Sequence, residues 1–291
     1  MRATLIVNPY ASSVSEERVQ DVERELSAVW AVQTQLTERR GHATDLARAA
    51  DGDVILVFGG DGVFNEALNG VDGTRSVGLL PGGATSVLPR ALGLPRDPVA
   101  AARRLLARRE RRISLGRVNG RRFGFAASIG LDAAVVRRVD ELGRRADGKR
   151  PGDFAFARAV VGVVASNGWR LTDSLDLAGG HPAALVMVSN DSVYTYGGPI
   201  PFRFSPRARF ELGLDYVAQS NPGVARILRG FVQAAIGCGV EGLPGAVAGH
   251  DVDRLEVRCA GPRPLQADGE DLGDVAQAVF EAERDAVTML V

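Results

Sequence analysis

"VILVFGGDGVFNEALNG" runs from Val54 to Gly70. Five apolar residues, Val54 to Phe58, stop abruptly at Gly59-Gly60. Such a run, bounded by turn residues, predicts a buried strand. The glycines allow a sharp turn and a close backbone approach to something bulky. Asp61 is the only charge in that turn. After it, Phe64, Ala67 and Leu68 recur at helical spacing, with Asn65 and Glu66 beside them. Strand, glycine turn and helix start form the arrangement in which backbone N–H groups and a helix dipole hold a phosphate. Taken alone, the same stretch also reads as a strand-to-helix turn whose glycines serve geometry only.

The flanking sequence repeats the alternation. "ATLIVNP" reads as a first strand, and residues 15–30 as a helix with Val19, Val22, Leu26 and Trp30 on one face. "AVQTQLT" is a second strand, 42–50 a helix, "SVGLLPGG" a fourth strand with a loop, and "PVAAARRLLARRERR" a helix. Strands alternating with helices predict a parallel, doubly wound α/β sheet, whose ligands bind beyond the carboxyl ends of the strands. "NPYAS", "GGDG" and "PGGATS" all fall there. From Ile113 the texture changes. "ISLGRVNGRRFGFAAS" is a hairpin signal around Asn119-Gly120, residues 132–168 read as a mostly helical insert, and short strand-like runs follow to the C-terminus. The expected organisation is therefore an α/β nucleotide-binding domain at 1–112 and a mainly antiparallel β-sandwich domain at 113–291.

Composition narrows the function classes. The 291 residues are 45% hydrophobic and 24% charged with a formal net charge of zero. That is an ordinary soluble composition, without the basic excess of a nucleic-acid binder. Lys149 is the only lysine, so neither a P-loop lysine nor a protein-kinase phosphate lysine is available. Cys238, Cys259 and three scattered histidines form no metal-ligand spacing. The apolar run in "MRATLIVNPY" is too short for a signal peptide, and no stretch is apolar enough to span a bilayer, so a cytoplasmic protein is expected.

Five segments, in order, resemble one family, the bacterial diacylglycerol kinase and sphingosine kinase-like lipid kinases. These are "IVNPYAS", "GGDGVFNEALNG", "PGGATSVLPRALGLP", "FGFAASIGLDAAV" and "ADGE" at 267–270. The resemblance implies phosphoryl transfer from ATP to a lipid hydroxyl, with Mg2+ offsetting phosphate charge. It implies a nucleotide site lined by Asn8, Pro9, Thr37, Gly59, Gly60, Asp61, Gly62, Asn65, Glu66, Gly83, Ala84 and Thr85. It places Asp61, Asp132 and Asp268 at the metal, and the general base at Asp268, with Glu270 as second candidate. Each acid has a simpler reading too: Asp268-Gly269 is a favourable turn pair, and Asp132 could cap a helix beginning at Ala133.

The sequence departs from the family pattern at Val63, Ala84, Ser86 and Val87. It departs again at Leu212, where bacterial members carry a structural magnesium ligand; that second metal site is expected to be missing. Diacylglycerol giving phosphatidate is the favoured reaction. An NAD kinase-like enzyme and a non-catalytic nucleotide- or lipid-sensing protein of the same fold are the alternatives. The expected partner is a lipid at a membrane surface, met from the cytoplasmic side; a homodimer is compatible with the sequence. The apolar stretch at 154–169, after an arginine-rich run that includes Arg144 and Arg145, reads either as a bilayer-resting helix or as a core helix.

Overall fold

A computed structural model describes residues 1–141, 162, 173–177, 179–220 and 223–291. The apolar stretch at 154–169, apart from Gly162, and Arg144 and Arg145 lie outside the described residues. The chain divides into two compact units, Met1–Leu115 with Arg284–Val291, and Gly116–Glu283. A cut at 112 would leave the last eight residues in the second unit; the structure returns them to the first.

The first unit contains β1 (Arg2–Val7), α1 (Glu16–Ser27), β2 (Ala31–Leu36), α2 (His42–Ala49), β3 (Val54–Gly59), α3 (Asp61–Leu68), β4 (Ser76–Pro81), α4 (Val87–Ala91) and α5 (Pro98–Leu106). The parallel strands stand in the order β2-β1-β3-β4. Beyond β4, Thr288 and Met289 of the final strand pair in parallel with Ser76 and Val77. Helix α1 packs on α5, and α2 on α3, which is the doubly wound arrangement. Val54 to Phe58 are all fully buried. A parallel strand covered on both faces requires that unbroken apolar run, and each such side chain stabilises the fold by about 2 kcal/mol.

Helix ends follow side-chain chemistry. Ser15 accepts the Arg18 N–H at the start of α1, and Asp97 accepts the Ala100 N–H before Pro98 in α5. The helix expected to run to Arg112 ends at Leu106. Arg108 takes φ +49, and the strand β5 (Glu110–Val118) begins two residues later. The Arg109 carbonyl accepts the Val291 N–H at 2.8 Å. Tertiary strand pairing has overridden a good helical sequence.

The second unit is β-rich and mostly antiparallel. It holds β6 (Arg121–Phe123), β7 (Ala126–Gly130), α6 (Leu131–Glu141), β8 (Leu175–Leu177), β9 (His181–Ala183), β10 (Leu185–Ser189), β11 (Thr195–Gly197), β12 (Ile200–Phe202), β13 (Leu214–Gln219), α7 (Val224–Ala235), β14 (Ala246–Val252), β15 (Arg254–Ala267) and β16 (Glu270–Leu290), whose last residues belong to the first unit. The central order is β14-β13-β10-β7-β15-β16. The predicted hairpin is present: Val118 pairs with Arg121 across Asn119 and Gly120, both at positive φ. Alternation along β10 sends Val186 and Val188 into a core with Phe123, Ile129, Val257 and Phe280. Met187 faces the other way, toward Phe204, Val217 and Ala234. Helix α7 is an element that the strand-rich reading of this half passes over.

Candidate functional site

The glycine segments of the first unit meet at the carboxyl ends of β1, β3 and β4. Strand order reverses between β1 and β3, which is where open α/β sheets bind ligands. There the Asn8 N–H donates to the Phe58 carbonyl at 2.9 Å, and the Asn8 carboxamide accepts the Tyr10 N–H. The Gly82 N–H donates to the Gly59 carbonyl at 2.6 Å. A Cβ on Gly83 would lie 2.8 Å from the Gly60 Cα, so the two loops touch backbone to backbone. Helix α3 starts at Asp61, and its first turn has no side-chain cap. Helix N-termini at glycine turns are where anions bind.

Asp61 spans the two loops. Its carboxylate accepts the Val87 N–H at 3.0 Å and the Leu88 N–H at 3.2 Å, capping α4. Ser86, at φ +46, bonds Gly83 through both its hydroxyl lone pair and its proton. Ala84 is exposed, Gly62 and Thr85 are half-buried, and Pro9 is exposed. The remaining candidates sit in structural contacts. Glu66 accepts the Ala43 N–H at 3.2 Å, supplying the cap that α2 otherwise lacks. Buried Asn65 bonds Asn69. Thr37 is buried, with its N–H on the Val7 carbonyl.

In the second unit Asp268 and Gly269 form the two-residue turn between β15 and β16, both at positive φ, with Ala267 paired to Glu270. The Asp268 carboxylate is buried and accepts three backbone N–H groups, from Gly124 at 2.6 Å, Phe125 at 3.0 Å and Ala126 at 3.2 Å. Glu270, one residue past the turn, pairs with Arg121 at 2.9 Å.

Asp132 lies in the first turn of α6 and gathers three partners that sequence reading misses. Ser128, Tyr194 and the Gln266 amide all donate to it. The Gln266 carbonyl oxygen accepts the Gly269 N–H at 3.0 Å, tying this cluster to the Asp268 turn. The available signal is a polar residue amid apolar strand neighbours, Ser128 in "AASIG" and Gln266 in "PLQA". Asp132 also borders a cavity of about 80 Å³ walled by Leu185, Met187, Phe204, Phe231 and Leu243, with Gln219 and Arg226 as its other polar lining. Burial raises the Asp132 carboxyl above its ordinary 3.8, and the three hydrogen bonds oppose that shift without cancelling it.

Residues 2–118 match the diacylglycerol kinase catalytic domain. This bears out the resemblance seen in the glycine segments. A diacylglycerol kinase of Bacillus subtilis is 34% identical over 131 residues, 42% of this chain and 43% of that protein. One from Mycobacterium tuberculosis H37Rv is 35% identical over 108 residues, 35% of each. The chain spans about half or less of the length of such curated relatives. Among solved structures, a diacylglycerol kinase from Bacillus anthracis superposes with a TM-score of 0.73 at 20% identity, covering 99% of this chain and 96% of that one. An NAD kinase from Archaeoglobus fulgidus in complex with ATP gives 0.53 at 12%, covering 100% and 94%. At those identities the structures establish the fold, an α/β unit followed by a mostly antiparallel β-rich one.

Within this diacylglycerol kinase-like frame the sequence departures acquire physical readings. Val63 is buried, and its Cγ1 occupies the space a Cβ on Gly59 would need, so it packs inward. Ser86 stands where the family has asparagine, a residue that tolerates positive φ. The glycine cradle, where Gly60 and Gly83 meet backbone to backbone, has the chemistry that a nucleotide's phosphates call for. Among the described residues no three acidic, histidine or cysteine side chains cluster to hold a metal ion. Asp61, Asp132 and Asp268 are each committed to hydrogen bonds. Magnesium arriving on a nucleotide needs only one or two carboxylates.

The raised Asp132 carboxyl has a measurable consequence. Just above pH 3.8 the folded chain retains a proton that the unfolded chain has lost. Stability from this group is therefore full below that pH and declines as pH rises toward the folded value. Asp132→Asn is expected to raise Tm at pH 7 and to flatten the decline. A thermal melt series against pH checks it, and a lower Tm at pH 7 would refute the assignment.

Proposed function

We propose that the protein is an ATP-dependent lipid kinase that transfers the γ-phosphoryl group to a lipid hydroxyl, with diacylglycerol as substrate and phosphatidate as product. The observation that carries this reading is the cavity of the second unit, an apolar pocket with the Asp132 carboxyl at its border. At about 80 Å³ the pocket has room for the hydroxyl-bearing end of a lipid beside Asp132 and not for its hydrocarbon chains, which would stay outside it. The glycine cradle and the uncapped start of α3 suit the phosphates of ATP. Magnesium bound to the nucleotide would offset phosphate charge; Asp61 would be the carboxylate of the glycine turn that meets it, while still accepting the Val87 and Leu88 N–H groups.

The geometry supports Glu270 over Asp268 as the proton acceptor. Asp268 is buried and its carboxylate serves three backbone amides, whereas Glu270 follows the turn that fixes its position and pairs with the Arg121 side chain. Phosphoryl transfer needs positioning more than covalent chemistry, so a carboxylate that takes the hydroxyl proton late suffices. The substrate would be met at a membrane surface on the cytoplasmic side, and no part of this scheme requires nucleic acid or a second subunit. Among the described residues no helix is long and apolar enough to cross a membrane.

The test is turnover with Mg-ATP on dispersed short-chain diacylglycerol and, separately, on NAD. The native chain is expected to form phosphatidate, and Glu270→Gln to lower kcat by about 100-fold or more. NADP formation without phosphorylated lipid would replace this reading with the nucleotide-kinase one. ATP binding without any product would favour a sensing protein.

A further inference from the structure

We infer that the outward face of α7 docks on an anionic lipid bilayer. The outward positions of this helix and its cap are Ala225, Leu228, Arg229, Val232 and Ile236, all exposed. Leu228, Val232 and Ile236 are 60%, 61% and 68% exposed, and four-residue spacing aligns them in one stripe. A surface helix normally turns such a stripe inward. Here α7 already has an inward face: Gly230 and Ala234 are buried, and Ile227, Gly230 and Phe231 line the cavity. The helix is therefore apolar on two sides. The hairpin strand β12 packs against it through Phe202 and Phe231, ring centroids 6.4 Å apart. That strand adds Ile200, 48% exposed.

The occupant is indicated by charge and by continuity with the cavity. Helix α7 contains two arginines and no acid, and Arg229 is exposed beside the stripe. An apolar stripe flanked by arginine suits a headgroup region with negative charge. A second copy packed symmetrically on this face would set Arg229 against its own equivalent with no acid from α7 to pair it. The same helix also walls the cavity, so a bilayer on its outer side would bring a lipid to that wall. The choice of a bilayer rests on the lipid-kinase reading; the two are separable by experiment.

The experiment is sedimentation of the full chain with vesicles of phosphatidylcholine alone or mixed with phosphatidylglycerol. Native protein is expected to bind the mixed vesicles. Leu228→Glu with Val232→Glu is expected to reduce that binding at least tenfold, while phosphorylation of dispersed short-chain diacylglycerol is unchanged. Leu228→Gln with Val232→Gln adds no charge and is expected to lose binding as well, through lost apolar contact. Unchanged vesicle binding in either double variant would overturn the inference, as would a native chain that ignores mixed vesicles. Light scattering that shows a native dimer broken by the Glu pair would assign the stripe to a second copy instead. Vesicle binding that depends on Leu228 and Val232 in a chain that phosphorylates no lipid would uphold the docking face and remove the kinase reading.

Discussion

Asp268→Ala is expected to destabilise the second unit by about 3–5 kcal/mol. The carboxylate accepts the N–H groups of Gly124, Phe125 and Ala126 inside a buried turn. A hydrogen bond to a charged acceptor is worth about 1.5–3 kcal/mol, and the orphaned amides cannot reach water without opening the turn. Alanine is also strained at φ +50. Asp268→Asn keeps one accepting oxygen and tolerates that backbone conformation, so it should cost less than half as much. Urea denaturation of both variants tests the claim. Native stability in Asp268→Ala would show that the three amides do not depend on this side chain. Lost activity in Asp268→Ala therefore does not identify a base, whereas Glu270→Gln leaves the amide clamp in place.

Gly60→Ala is expected to fold like the native chain and to weaken ATP binding by about 100-fold. Gly60 has φ −104, a conformation open to any residue. A Cβ there would meet only the Gly83 Cα at 3.5 Å, an ordinary contact. The protein itself thus has room for the methyl group. If phosphates lie against this turn, the methyl group stands in their place, so phosphate contacts are lost and the transferred group is displaced. A displacement of about 1 Å costs roughly 100-fold in transfer rate as well. Calorimetric titration with ATP, beside a thermal melt, checks both halves. Gly83→Ala is the contrasting variant: its Cβ would lie 2.8 Å from the Gly60 backbone, so the loops must shift and Tm should fall as well.

Much of this fold is legible from the sequence because the signals are local. The run Val54–Phe58 and the glycines after it specify a doubly covered strand and a turn. Asn119-Gly120 and Asp268-Gly269 specify two-residue hairpins, and both form. Long-range pairing hides the rest. "ARRERR" has good helix propensity, yet the chain from Glu110 is strand, beside the returning C-terminus. Glu66 looks like a solvated or nucleotide-facing acid. Its cap on α2 depends on a partner 23 residues away. The Asp132 cluster joins Ser128, Tyr194 and Gln266 from three segments up to 138 residues apart, which no local pattern announces. The stripe on α7 is invisible for a related reason: an apolar face in sequence reads as core until the structure shows a second one already buried.

The most direct test of the account is phosphate transfer from Mg-ATP to dispersed short-chain diacylglycerol, followed by mass spectrometry, for the native chain and Gly60→Ala side by side. The account predicts phosphatidate from the native chain and at least tenfold less from the variant at subsaturating ATP, with equal thermal stability. No phosphorylated lipid from a folded, ATP-binding native chain would contradict the lipid-kinase reading. Equal turnover by both chains would contradict the placement of the nucleotide at the Gly59–Gly60 turn.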